Sequence, residues 1–485
     1  MQEKASETLT SMEAQAEAML HTEIEDDYGV DDDLLASVRG AIEAEDTALI
    51  RTLVEPLHAA DIAELLTNLR EDERYTLTTA MRDVLNPEVL VELSPELQDE
   101  VIETLGPLKS AEAIAQLDTD DAVYVIEGLE ADNQREILAA MTDEEQKTEL
   151  EEGLAYPDSS AGRLMQTEFV SVPEFWTVGD TIDFLRRADD LPNDFYAIMV
   201  VDPRYKPIGS VLLSRIMRST RDTSIRSIMY ADIKRIPTEM DQEQIAYLFR
   251  KYGLVETPVV HPSGRLVGVI TVDDVVDVIA EEDKEDFEKI GGVEALDDPY
   301  LNTPLLTLVK KRTRWLVVLF LGEMLTASAM GHFEEAITQL VVLTLFIPLI
   351  ISSGGNSGSQ AATLVIRAMA LGEVRLKDWW RVMQREISSG LMMGLILGAI
   401  GFAWIAVRHH LIAPYGADWV LLGLTVSLAL VGVVMWGTIT GSMLPFIMRK
   451  LGADPATSST PFVATLVDVT GLIIYFTVAS LLLLS

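Results

Sequence analysis

The last third of the chain restricts its fold most. About five apolar runs can be read there, roughly 314–333, 335–352, 386–407, 418–447 and 461–484. Most reach or exceed the ~20 residues that a helix needs to cross the hydrocarbon of a bilayer. The fold class expected for this part is therefore an all-α membrane domain with five transmembrane helices.

Charge sets this part apart. Residues 1–150 carry 39 acids and 9 bases, residues 151–300 carry 29 and 16, and residues 301–485 carry 9 and 12. The formal charge of −40 thus comes from the first 300 residues, and two kinds of object are joined in one chain. The N-terminus "MQEKASETLTSMEAQAEAML" has no basic stretch followed by an apolar core, so no cleaved signal peptide is expected. The first 300 residues are expected in the cytosol, and the absence of cysteine fits a reducing compartment. Loop charges give the orientation. Lys310, Lys311, Arg312 and Arg314 precede the first span, Arg367, Arg375, Lys377, Arg381 and Arg385 separate the second from the third, and Arg449 and Lys450 follow the fourth. With five spans these share one side, which places the N-terminus inside and the C-terminus outside. An odd number of spans cannot form an inverted pair of equal halves. A homodimer with its pathway on the two-fold axis is the simplest remedy.

The expected organisation is an acidic flexible leader (1–33), an acidic, superhelical α-helical N domain (34–155), an α/β pair of repeated units (156–280), a connecting helix (281–309) and the transmembrane domain (310–485). The N domain is read from short amphipathic segments such as "HAADIAELLTNL" and "DTDDAVYVIEGL", about two dozen residues apart, which suggest stacked helical hairpins. The repeat is read from "IGSVLLSRIM" and "VGVITVDDVV", each following a strand, a helix and a turn, about 60 residues apart. That order resembles a tandem pair of CBS domains.

Two membrane motifs stand out. "PLIISSGGNSGSQAATLVIRAMALGEV" (348–374) places Gly, Ser, Asn and Gln where the second helix is expected to leave the bilayer, and such backbone is tolerated at membrane depth only against protein or a wet cavity. "ATLVDVTGLIIYF" (464–476) sets Asp468 about seven residues into the last span, ~10 Å of helix beyond Pro461. A carboxylate at that depth costs ~3 kcal/mol or more and is a functional candidate by default. Glu323 in "LFLGEMLTAS" is the other acid well inside a span.

With "YPDSSAGRLM" ahead of the repeat, these parts in this order resemble the MgtE family of bacterial magnesium channels, from about residue 34 onward. The resemblance implies a homodimer in the cell inner membrane that is a transporter rather than an enzyme, with a Mg2+-selective pore and a cytosolic half that senses Mg2+. It makes Asp468 the pore ligand. Glu323, Asn356 and Gln360 are pore-lining candidates, and for each a purely structural role is the competing reading. One Asp per subunit, doubled by symmetry, suits an ion that keeps most of its waters and takes one or two carboxylates. The family's plug helix corresponds to "VDDVVDVIAEEDKEDFEKIGG". Residues matching its regulatory metal ligands are Asp274, Asp277, Glu282, Glu285 and Asp286, with Asp241 and Glu243 in the second repeat. Asp118, Asp120 and Asp121 form the best cluster in the N domain. The pattern departs at Gly253, where the family can have an acid. CBS pairs often hold adenine nucleotides, and Thr271 with Asp274 keeps a "T-x-x-D" arrangement suited to ribose; against ATP as a regulator, the equivalent first-repeat position is Arg215 and a stacking position is Leu254. No "GxxxxGK[ST]" loop suggests a pump. The rival readings are an ion-coupled or less selective carrier of Mg2+, Mn2+ or Co2+, and a non-conducting membrane-anchored CBS sensor.

Overall fold

The computed structural model describes residues 29–483 apart from 189–190, 193–194, 297–299, 301–302, 340 and 413. Most of the expected leader, residues 1–28, lies outside the described residues. The chain divides into two compact units, Met1–Val278 and Ile279–Ser485.

The first unit opens with short helices from Asp32–Glu43 to Glu144–Leu154. Several begin on an acidic cap: Asp31 accepts from the Leu34 N–H, Asp46 from that of Leu49, and Asp143 from those of Glu145 and Gln146. Pro95 and Pro107 start two others, where a missing N–H costs nothing. One apolar face of each helix is buried in a common core that includes Leu65, Leu77, Leu90, Val101 and Ile126. Arginines tie successive turns together. Arg51 donates to the Ala80 carbonyl at 2.8 Å, Arg74 holds both oxygens of Glu100, and Arg82 donates to the Leu105 carbonyl at 2.7 Å. These ties span 23 to 29 residues, the spacing at which the amphipathic segments recur. The helix Thr119–Gly128, here α1, carries the acidic cluster.

Two three-stranded sheets follow, β1 (Ser171–Pro173), β2 (Ala197–Val201) and β3 (Pro207–Leu212), then β4 (Ile236–Pro237), β5 (Glu256–Val260) and β6 (Leu266–Thr271). In each, the first strand pairs parallel with the second and the second antiparallel with the third. The irregularity between Val200 and Val201 recurs between Val259 and Val260, so the duplication extends to backbone detail. The turns between the paired strands both use a left-handed residue, Tyr205 (φ 61°) and Gly264 (φ 82°). From β6 the chain enters a 19-residue helix, α2 (Val272–Ile290), which starts earlier than the connecting helix expected from 281 and crosses the division between the units.

Among the described residues the second unit has five helices long and apolar enough to span a membrane: α3 (Leu305–His332), α4 (Ile347–Ala370), α5 (Trp379–Leu411), α6 (Trp419–Lys450) and α7 (Thr460–Leu483). Helix α4 packs on α6 and α7, α5 on α6, and α3 on α7. Two expectations are corrected. The second apolar run was expected to end near residue 352, yet α4 continues to Ala370, so "SSGGNSGSQ" lies mid-helix rather than at a helix end. The basic residues before the first apolar run, Lys310 to Arg314, are already helical within α3. The reason for the first difference is packing. A Cβ on Gly437 would stand 2.5 Å from the Gly354 carbonyl oxygen, and one on Gly441 would overlap that of Gly358. Helices α4 and α6 therefore touch backbone to backbone along a glycine seam, and that contact outweighs the ~1 kcal/mol per glycine of lost helix propensity.

Candidate functional site

The polar groups of the membrane unit gather around α4 and α7. Buried Gly354 and Gly358 face Val433, Val463 and Val467, which turns Ser352, Asn356 and Gln360 to the opposite, exposed face of α4 at i, i+4 and i+8. Asn356 Nδ2 donates to Ser352 Oγ at 3.4 Å, within its own helix. On α7, Val467, Leu472, Tyr475 and Phe476 are buried in the helical core, while Asp468 beside them is only half-buried. Its Oδ1 lies 3.6 Å from where a Cβ on Gly355 would be, which puts the carboxylate next to the backbone of α4 at this glycine. Helix α3 closes on α7 at Gly322, whose Cβ would be 2.8 Å from Thr465 Cγ2. This contact brings Glu323 beside α7, where it is the charged group that bears on Asp468. Glu323 is exposed and lines an open groove with Phe320 and Thr465. The structure thus brings together Asp468, Gly355 and Glu323; Asn356 and Gln360 share α4 but face outward in the protomer.

The acids of the first unit converge more tightly. Asp120 on α1 is buried at 6 % exposure, and its Oδ1 accepts from the Asp121 N–H at 3.0 Å. Asp274, in the first turn of α2, accepts from Thr271 Oγ1 at 2.5 Å. Burial and the nearby Asp274 carboxylate push Asp120 well above the ordinary range, and the same causes push Asp121 up to about 7. Burial, then Asp273, raises Asp274 to about 6, although the bond from Thr271 works the other way. Asp118, Asp273 and Glu88 add to the negative field. Among the described residues the largest influences on these three acids are burial, hydrogen bonds and other carboxylates, an environment that favours a proton or a cation. Among the described residues no three Asp, Glu or His side chains close into a complete ion cage. The acids here suit an ion that retains waters.

The remaining expected ligands are distributed along the second repeat and α2. Asp241 caps the helix Gln242–Tyr252, accepting from the Glu243 N–H at 3.0 Å, a structural duty sufficient to account for it. Asp277 is raised by burial, then by Asp273. Glu282, Glu285 and Asp286 lie beyond Val278 in the second unit, and Glu285 binds Lys289. For Lys289, burial opposes the charge, but hydrogen bonds to Asp454 and Glu285 prevail and hold it above the ordinary lysine range. Gly253 has φ 60° and closes the helix Gln242–Tyr252 in the left-handed region, which an acid would occupy only with strain. In the first repeat Arg215 lies 4.2 Å over the Tyr230 ring and donates to the Ile228 carbonyl, so it serves packing there. One residue escaped sequence reasoning. Glu168 accepts from the N–H and Oγ1 of Thr119, at 3.3 and 2.7 Å, and so fixes the first turn of α1 beneath Asp120.

Comparison with known proteins now bears on the whole chain. The divalent cation transporter family matches residues 347–478, the MgtE intracellular N domain residues 57–159, and the CBS domain residues 225–281. The magnesium transporter MgtE of Thermus thermophilus is 37% identical over 457 residues, covering 94% of this chain and 99% of that protein. The chain belongs to the MgtE family of magnesium transporters. The magnesium transporter MgtE of Enterococcus faecalis is 31% identical over 337 residues, 70% of this chain and 72% of that one. Among solved structures, the cytosolic domain of the Mg2+ channel MgtE in complex with ATP is 33% identical, covers 50% of this chain and 99% of that chain, and superposes with a TM-score of 0.47. The fold has the parts of the family: the MgtE intracellular domain, the CBS pair and five membrane-length helices. Asp468 falls within the transporter match, Asp118, Asp120 and Asp121 within the N-domain match, and Asp274 and Asp277 within the CBS match.

Proposed function

We propose that this MgtE-family protein is a homodimeric Mg2+ channel of the cell inner membrane whose cytosolic acids close it when internal Mg2+ is high. The observation that carries the reading is Asp468, a half-buried carboxylate inside a helix of membrane-spanning length, beside Gly355 of α4. Doubled by a two-fold axis, it forms a ring of two carboxylates that draws a divalent cation and leaves its waters largely in place. Ser352, Asn356 and Gln360 offer neutral oxygens along the exposed face of α4 for that hydration shell. Influx then needs no hydrolysis, since an inside-negative potential contributes ~2.3 kcal/mol per charge per 100 mV.

Closure is assigned to the acids around Asp120, Asp121 and Asp274, together with Asp118, Asp277, Glu282, Glu285 and Asp286 along the path from α1 to α2. Left to themselves these carboxylates repel; cations between them favour the arrangement that closes the pathway. A regulatory nucleotide is a second reading, favoured by the Thr271–Asp274 bond at the end of β6 and by the ATP complex of the relative's cytosolic domain. Titration of the purified protein with ATP checks it, and no saturable binding would remove it.

Transport through Asp468 is tested by Mg2+ flux into vesicles carrying the wild type or Asp468→Ala. The expected result is loss of flux with unchanged insertion. Undiminished flux in the variant would sink the assignment.

A further inference from the structure

The C-terminal end of α2 is tied to the connection between α6 and α7 by an ammonium group. Lys289 Nζ lies 2.6 Å from Glu285 Oε1, one turn back on α2, and 2.7 Å from Asp454 Oδ2 in the connection between α6 and α7. Asp454 is held in place, because its Oδ1 accepts from the Ala456 N–H at 2.8 Å and caps the short turn Pro455–Thr457. The Lys289 side chain is only 26 % exposed. Around it, Ile290 packs against the core of the membrane helices. Gly292, at φ 71°, turns the chain against Trp315 and Pro461, and the Trp315 indole N–H donates to Ser459 Oγ at 3.1 Å. Remove the ammonium, and the Glu285 and Asp454 carboxylates, each more than a third exposed, lose the cation that they share and that joins α2 to the α6–α7 connection.

The connection that Lys289 grips runs through Ser459 directly into α7, the helix of Asp468. We propose that Lys289 is a positioning residue: it clamps the end of α2 to the α6–α7 connection, and this clamp is the fixed point from which the acid-rich part of α2 closes the pathway. The role in closure rests on the gating reading above; the clamp itself does not.

Two readouts separate them. The chain has no cysteine, so Ile290→Cys introduces a unique thiol whose alkylation rate in the full-length protein reports release of α2 from the membrane core. In the Lys289→Gln background that rate is expected to rise at least about fivefold, and the internal Mg2+ that half-inhibits flux to rise by a similar factor. Lys289→Arg should restore both readouts, whereas Lys289→Met, which keeps the length of the side chain without its charge, should not. Should Lys289→Gln fail to fold, Asp454→Asn removes the same bridge while keeping a cap for the turn. Equal alkylation in the Gln and Lys backgrounds would overturn the clamp, and faster alkylation with an unmoved inhibition curve would overturn its part in closure. A wild type whose flux ignores internal Mg2+ would instead overturn the gating reading, with the alkylation arm still deciding the clamp.

Discussion

At the scale of single residues, Asp468 and Asp120 are both acids in places that disfavour charge, and their consequences differ. Asp468 sits at a depth where an ionised group costs ~3 kcal/mol or more. Asp468→Asn should therefore leave the detergent-solubilised protein at least as heat-stable as the wild type while abolishing Mg2+ flux; a lower melting temperature would mean the carboxylate holds the fold together. Asp120, Asp121 and Asp274 bring a pH dependence whose sign follows from their direction. Unfolded, each titrates near the ordinary carboxylate value of ~4. Folded, Asp274 and Asp121 titrate at about 6 and 7, with Asp120 also raised. Between these values the folded protein binds more protons than the unfolded one, so stability falls as pH rises through that window and is lowest above it. In divalent-free buffer the cytosolic melting transition should move down between pH 5 and pH 8, recover at pH 8 on adding Mg2+, and lose much of its slope in Asp120→Asn. A flat profile in the wild type would contradict this. Asp468 was legible in the sequence because an acid in an apolar run announces itself. Glu168 was not, since it meets Thr119 across 49 residues of chain and nothing local marks it.

At the scale of elements, the glycine seam between α4 and α6 carries the sharpest expectation. Gly441→Ala would drive a methyl into the Gly358 carbonyl oxygen and should destabilise the membrane unit by at least about 1–3 kcal/mol. Gly40→Ala is the control. Nothing lies within 4 Å of its added methyl in the helix Asp32–Glu43, and the change should stabilise by about 0.5–1 kcal/mol. Thermal unfolding of both variants in detergent reads the contrast, and equal shifts would remove the seam. The same seam explains what the sequence hid. "SSGGNSGSQ" looks like a helix break because propensity is local, whereas the residues that make it helical, Gly437 and Gly441, belong to another span. The recurring helical hairpins and the duplicated strand order were readable because their periods are built into the chain. The helix "VDDVVDVIAEEDKEDFEKIGG" was readable from Val272, where α2 begins, and only the boundary expected at 281 has no mark in the chain.

At the scale of the whole molecule, the uneven charge becomes a division of labour. Residues 301–485 hold few acids, one of them proposed to meet the permeating ion, and the acidic first 300 residues supply the carboxylates assigned to sensing. A limited protease digest of the full-length protein should show the segment from about 275 to 300 protected by Mg2+, and identical digests with and without it would remove the sensor. The most direct measurement is Mg2+ influx under an inside-negative potential as Mg2+ on the cytosolic face is raised from micromolar to millimolar. The wild type should conduct at the low level and fall silent at the high one, and Asp120→Asn with Asp274→Asn should keep conducting at both. Flux that ignores cytosolic Mg2+ in the wild type, or suppression that survives in the double variant, would contradict the account.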